Sequence, residues 1–469
     1  MQSFTIHSLW NKSFCASNNF NSKILKASVF SEALNTHSPG GTMKLITLEN
    51  GLRIFFNPNT SLRSAIVGVW VAAGSRFENE KNNGISHFME HIVFKGSKNR
   101  SGFEIAEGMD EIGAHVNAYT TKEYTFYYTK ALDYQIEKAA DILFDMLKNP
   151  KLDEKDIETE KGVILEEISM CEDDPSDVCY ETNEKYIFSG GLSFEILGSR
   201  ETVQSFKKKD FEEYMSEAYL PERTVIGISG NFDEEKMLST VKKHFGDCEN
   251  KNNPLSYEEV PFNKGIYLKK MPTEQTHIMM CVPGVPIEHE DLYPLQVCMF
   301  ILGTGTSSML NQSIRERLGL VYSVDSWLGR YLGGGYIAIN MSLGPENEET
   351  AIKQAIKIVK DFPSAVTERQ VSIAKEKLVS SLIMSREQPQ SKHSSLGHNL
   401  LMLGKFIDDD EIIESIRSIS FEDVVSVAKK YFKLDELSFT AVGKVKKAKE
   451  YERIINEEVK SGENNESDK

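Results

Sequence analysis

The sequence predicts an α+β protein made of two halves of like order. Three observations carry this. A strand–loop–helix–glycine pattern occurs twice, each copy is followed by long amphipathic helical segments, and strands and helices do not alternate strictly as in a βαβ chain. A chain of 469 residues also exceeds a single core of ~100–150 residues, which fits two or more domains.

Taken in order, residues 1–42 are rich in Ser and Asn, hold one acidic residue (Glu32) and show no amphipathic period. They lack the arginines of a transit peptide and the apolar core of a secretory signal. They read as an extension without fixed structure, or as residues upstream of a true start at Met43, where strand-like sequence begins. The first half, 43–247, opens with a strand over 64–72. This leads through Gly74 into a helix over 85–95 that ends at Gly96. An alternating run over 115–128 reads as one strand. Ile136, Ala139, Ala140, Leu143 and Leu147 then recur at helical spacing, a second long helix covers 153–170, and a segment over 206–219 precedes a strand over 224–230. The polar stretch 248–263 reads as a linker. The second half, 264–445, repeats the order: a strand over 277–283, a helix over 292–302 ending at Gly303, Ile352, Ala355, Ile356 and Val359 at helical spacing, a helix over 368–385, and finally 421–432 with a strand over 438–443. The charged tail, 446–469, is expected to lack structure.

Bulk properties exclude several classes. The net charge of −16 argues against nucleic acid, whose phosphates need a concentrated positive surface. No apolar run reaches the ~18 residues that span a bilayer. The six cysteines are scattered without C-x-x-C spacing, so they imply neither a disulfide framework nor a cysteine metal site, and a reducing compartment suits them. Gly303-Thr-Gly-Thr306 lacks the Gly-Lys-Ser/Thr of a phosphate loop and reads as a turn.

The chemistry lies in Gly84-Ile-Ser-His-Phe-Met-Glu-His-Ile-Val-Phe-Lys-Gly96. His87 and His91 stand four apart on a predicted helix, so both imidazoles share one face and can hold one Zn²⁺. Glu90 is placed to accept a proton from a water activated by the metal and pass it to a leaving amine. This is the H-x-x-E-H order of inverted zinc peptidases. A third ligand must come from elsewhere, and the helix over 153–170 offers Glu160 and Glu167 on one face, with Glu166 turned away. When the halves are aligned on Gly96 and Gly303, His87, Glu90 and His91 fall on Pro294, Val297 and Cys298. Aligned on Pro175 and Pro389, Glu160 and Glu167 fall on Ala374 and Ser381. One half therefore reads as catalytic and the other as silent.

With these motifs the chain resembles the M16 family of zinc metallopeptidases, which includes the mitochondrial processing peptidase and bacterial proteins like it. The match covers roughly 43–445. The resemblance implies a metalloendopeptidase holding one zinc per chain. Glu167, 76 residues after His91, would be the third ligand, and Glu160 would orient a ligating histidine. It implies two homologous halves closing like a clamshell on peptides or unfolded polypeptide. It also implies that Asn117-Ala118-Tyr119-Thr120 lies on an edge strand to which substrate adds. Arg315 and Tyr322 would contact the substrate carbonyl near the scissile bond; on spacing alone, Arg315 reads as surface and Tyr322 as core. Family members work alone, as homodimers or beside an unlike partner, and some are catalytically silent scaffolds or partner subunits, which usually lose the motif. No membrane partner is expected. The arginine-free extension favours a bacterial cytoplasmic protein over a mitochondrial one.

Overall fold

The computed structural model describes residues 37–38 and 41–461. Most of the extension 1–42 and the last eight residues of the tail lie outside the described residues, although His37–Ser38 does pair with Gly41–Thr42.

The first half is a six-stranded sheet in the order Lys44–Thr47, Arg53–Pro58, Thr224–Gly230, Ser64–Val71, Thr125–Leu132, His115–Thr120. Every neighbouring pair is antiparallel except Arg53–Pro58 with Thr224–Gly230. Ser64–Val71 reads as a continuous apolar run because it is central and covered on both faces, with only Ser64 short of full burial. The expected single strand over 115–128 is instead a hairpin. The Thr121 hydroxyl accepts the backbone N–H groups of Glu123 and Tyr124 and closes the turn, so polar Thr121-Lys122-Glu123 breaks the alternation. This leaves His115–Thr120 as the edge strand.

The second half repeats the topology. Its sheet runs Ile266–Lys270, Ser438–Gly443, Thr276–Pro283, Gly334–Leu343, Ser323–Tyr331, and its parallel pair, Ile266–Lys270 with Ser438–Gly443, occupies the matching place. Helices cover one face of each sheet. Ile85–Ile92, Ile136–Lys148, Glu154–Asp173 and Glu234–Phe245 bury their apolar residues against Ile54, Val67, Val69 and Val71. Leu292–Leu302, Glu348–Ala365 and Glu368–Arg386 do the same in the second half. The tail departs from expectation. Ala448–Lys460 is a helix with Tyr451 and Ile454 buried in the second core, and it is the repeat counterpart of Glu234–Phe245. Its sequence is dominated by Lys and Glu because only one narrow stripe faces inward.

The halves exchange helices. Pro175–Ile187 follows the long helix of the first half but packs on the second sheet, where Val178, Cys179 and Ile187 meet Met279, Cys281, Tyr336 and Val442. Pro389–Leu403 follows the long helix of the second half but packs on the first sheet, where Leu396, Leu400 and Leu401 meet Phe55, Trp70 and Phe126. Each exchanged helix opens on a proline, whose fixed φ suits a helix start and ends the preceding helix. The approach is close. A Cβ on Gly397 would lie 2.3 Å from the Trp70 ring, and one on Gly68 would lie 2.6 Å from His393.

Polar contacts join the halves as well. The buried Arg76 guanidinium donates to Glu123 at 2.7 Å, to the Leu332 carbonyl and to the Glu258 carbonyl, while the Leu332 N–H donates to Glu123. Buried Glu184, on the exchanged helix Pro175–Ile187, accepts from the hydroxyls of Tyr331 and Tyr336 of the second half. No helix among the described residues is long and apolar enough to cross a membrane.

Candidate metal centre

The short helix Ile85–Ile92 owes its position to its own sequence. Ile85, Phe88, Met89 and Ile92 form the buried face, which turns His87, Glu90 and His91 to the other side. Gly84 caps the helix at φ +96°, and a Cβ there would sit 2.6 Å from the Leu197 carbonyl oxygen, so glycine is required on both counts. Glu78 accepts the otherwise unpaired N–H groups of Gly84 and Ser86 at 2.7 and 2.8 Å, a carboxylate on a helix N-terminus. Ser86 is in turn hydrogen bonded to Tyr214 at 2.6 Å.

The long helix Glu154–Asp173 packs alongside. Ile157, Ile164 and Ile168 form its buried stripe, and Glu160 takes a position on that stripe with only 3% of its surface exposed. Its charge is compensated. One Glu160 oxygen lies 2.8 Å from His91 Nδ1 and the other 2.5 Å from Lys95 Nζ. Two turns further on, Glu167 reaches the histidines, its Oε2 lying 3.5 Å from His91 Nε2 and 3.8 Å from His87 Nε2. One ligand atom from each of His87, His91 and Glu167 falls within 4.8 Å of the others, which makes the three a candidate metal cluster. Exposed Glu166 lies outside it.

The donor set fits zinc. Two imidazole nitrogens and a carboxylate oxygen converge, and Glu167 Oε2 is buried without a hydrogen-bond partner. Burial, and after it the charge on His91, pushes the His87 pKa well down, which favours the neutral imidazole that ligates. For His91, burial acts downward, but the Glu160 hydrogen bond and the charges of Glu167 and Glu90 outweigh it and raise the pKa. Burial raises the pKa of Glu167 and of Glu90.

Glu90 has a partner that spacing did not reveal. Thr120, at the end of the edge strand, donates its hydroxyl to Glu90 Oε2 at 2.6 Å. Behind them, Tyr127 and Tyr219 share a 2.7 Å hydrogen bond. Of the other residues named on that strand, Ala118 is buried, Tyr119 packs on Tyr124 and Phe126, and Asn117 is exposed and accepts the Ala118 N–H. Thr120 thus serves the carboxylate as well as the strand. Lys95 was also missed, although its place one turn after His91 put it in reach of the same partner. Glu78 could not have been found from spacing, because its role depends on how the loop folds back.

Arg315 and Tyr322 belong to the second half. Arg315 lies on the helical turn Asn311–Arg317 and is exposed. Tyr322 is 63% exposed, against the core position its spacing suggested, because it stands at the very start of the edge strand Ser323–Tyr331, where its N–H meets the Ser342 carbonyl while its side chain stays in solvent. Among the described residues, neither side chain forms a hydrogen bond or ion pair with the metal cluster. At the equivalent place in the second half, helix Leu292–Leu302 buries Val297 and Cys298, and Ala374 is buried on the helix beside it.

Comparison with known proteins identifies the family. Residues 53–198 match the model of insulinase (peptidase family M16), and residues 205–378 match the peptidase M16 inactive domain. The chain is 37% identical over 398 residues to the zinc protease YmxG of Bacillus subtilis, covering 84% of this chain and 96% of that one. A zinc protease of Rickettsia felis is 34% identical, with 82% and 94% covered. The crystal structure of a protease from Helicobacter pylori shares the fold at TM-score 0.78 and 21% identity, covering 85% of this chain and 99% of that one. A twice-written α+β fold, a zinc-type donor set in the first half only, and these matches together place the chain in peptidase family M16.

Proposed function

We propose that the protein is a zinc endopeptidase of extended peptides or unfolded segments, with His87, His91 and Glu167 as ligands and Glu90 as general base. The observation that carries this is the convergence of the three ligand atoms around an unpartnered Glu167 oxygen, beside a Glu90 carboxylate already held by Thr120. Zinc bound there supplies Lewis acidity, bringing the pKa of water to about 7 and polarising a carbonyl. Glu90 takes the proton from the attacking water and delivers it to the leaving amine, and its burial-raised pKa suits a group that must both accept and release a proton. Glu160 and Lys95 fix the orientation of the His91 ring. The open edge His115–Thr120 runs past the motif helix and offers backbone groups to an extended substrate, which binds with little demand on its sequence.

The helix exchange fastens the two halves. Arg315 and Tyr322 are exposed and form no hydrogen bond or ion pair with the chain's own metal cluster among the described residues, and we propose that these two donors act on the site of a second chain, either another copy or an unlike partner of the same fold.

The test is cleavage of a quenched fluorescent peptide library, with metal content measured on the same sample. Wild type is expected to hold about one zinc and cut, while Glu90→Gln holds zinc and loses at least ~10³-fold in rate. A wild type that binds no zinc removes the reading. One that binds zinc and cuts nothing, alone or mixed with a partner, supports a silent scaffold instead.

A further inference from the structure

A second site lies behind the motif helix. An open-mouthed cavity of about 370 Å³ sits on the helix-covered side of the first sheet, between the loop after Ile136–Lys148, the helix Lys208–Ala218 and the end of Glu234–Phe245. Its floor is apolar: Val69, Val71, Leu147, Leu152, Met215 and Phe245. Four lysines, Lys98, Lys148, Lys151 and Lys208, contribute to its lining against one acidic residue, Glu212. In a chain of net charge −16 this is a local reversal of sign. Lys98 has no ionic partner among the described residues. Lys151 pairs with Asp153 at 3.2 Å, and Lys148 and Lys208 reach Asp247 and Glu212 at 3.7 and 3.9 Å; exposed pairs of this kind are weak, so the lysine charge can turn to a ligand.

Two further features mark the cavity as built. Leu152 is held at φ +49°, a conformation a branched side chain rarely adopts, and this places it, 5% exposed, in the floor. Tyr219, in the wall, is hydrogen bonded to Tyr127 behind Glu90, and Ser216 and Met215 belong to the helix whose Tyr214 holds Ser86. The volume is within the ~300–1,000 Å³ of small-molecule pockets. The lining holds lysines and no arginine, which favours a single negative head over a forked phosphate contact.

We infer that this cavity binds an amphipathic monoanion, a medium-chain carboxylate whose head meets the lysine rim and whose tail of about ten carbons lies on the apolar floor.

The test uses the full-length, zinc-loaded protein, with decanoate, 1-decanol and acetate titrated by calorimetry. In parallel, Cys248 is alkylated by iodoacetamide and quantified by mass spectrometry. Cys248 lines the cavity and accepts a hydrogen bond from Lys148 at 2.9 Å, and labelling in the presence of acetate at the same concentration serves as control. Decanoate is expected to bind once per chain and to protect Cys248, whereas acetate leaves its labelling unchanged. Decanol should bind at least tenfold more weakly, and acetate not measurably. Lys98 and Lys151 are exposed, so Lys98→Glu combined with Lys151→Glu leaves the fold intact and should weaken decanoate about tenfold. Val71→Trp should abolish binding by filling the floor, and if it fails to fold the rim variant decides alone. Absence of saturable decanoate binding, equal binding of decanol, or binding unchanged in the rim variant without protection of Cys248 would overturn the proposal.

Discussion

At the scale of single residues, the site is a chain of dependencies running outward from the three ligand atoms. His91 is held by Glu160 and Glu160 by Lys95, so a change two groups removed from the donor atom acts through the ring's orientation. Glu160→Gln keeps the shape but loses the charge that raises ligand basicity. It is expected to weaken zinc about 10–100-fold, read by competition with a chromogenic chelator, while the far-ultraviolet spectrum of the protein stays unchanged. How legible these residues were follows from the distance each interaction spans. His87, Glu90 and His91 lie within one and a half turns, so helical spacing alone places them together. Glu167 required counting along a second helix. Thr120 reaches Glu90 across thirty positions and a hairpin turn, and no periodicity encodes that contact.

At the scale of elements, the tail shows why composition misleads. Ala448–Lys460 is rich in charge, yet its inward stripe completes a core, and Tyr451 donates at 2.8 Å to Glu348, a fully buried carboxylate that also accepts from Thr276. Tyr451→Phe leaves that carboxylate short of one donor and should cost about 1–3 kcal/mol in urea unfolding at neutral pH. The helix Ile136–Lys148 carries a different dependence. Burial works to raise the Asp141 pKa, but hydrogen bonds from Lys243, His244 and Arg100 overcome it and hold it down to about 2. A folded-state value below the unfolded ~3.9 means that the stabilisation is complete above about pH 4 and is lost as pH falls toward 2. Asp141→Asn should therefore destabilise by about 1–2 kcal/mol at pH 7, after discounting for partial exposure, and by less at pH 3. Urea midpoints at the two pH values check the sign.

At the scale of the whole molecule, the repeat was legible because each half writes the same order of strands and helices, down to prolines opening Pro175–Ile187 and Pro389–Leu403. The exchange of those two helices was not legible. An amphipathic stripe says that a helix is covered and leaves open which sheet covers it. If the exchange holds the halves together and Arg315 and Tyr322 serve a second chain, two defective variants should repair one another. Glu90→Gln and Tyr322→Phe, each nearly inactive alone, are expected to recover about a quarter of the wild-type rate when unfolded and refolded together, since half of randomly formed dimers carry one intact site of two. No recovery would place the pair's action within one chain or outside catalysis. The helix exchange also sets a schedule for the nascent polypeptide. The first sheet is complete once Gly230 has been synthesised, but Phe55, Trp70 and Phe126 stay uncovered until Pro389–Leu403 emerges about 170 residues later. At ~5–20 residues per second this is roughly ten to thirty seconds on the ribosome. During that time a large aromatic face has no cover of its own, and the growing chain depends on whatever in the cell shields it.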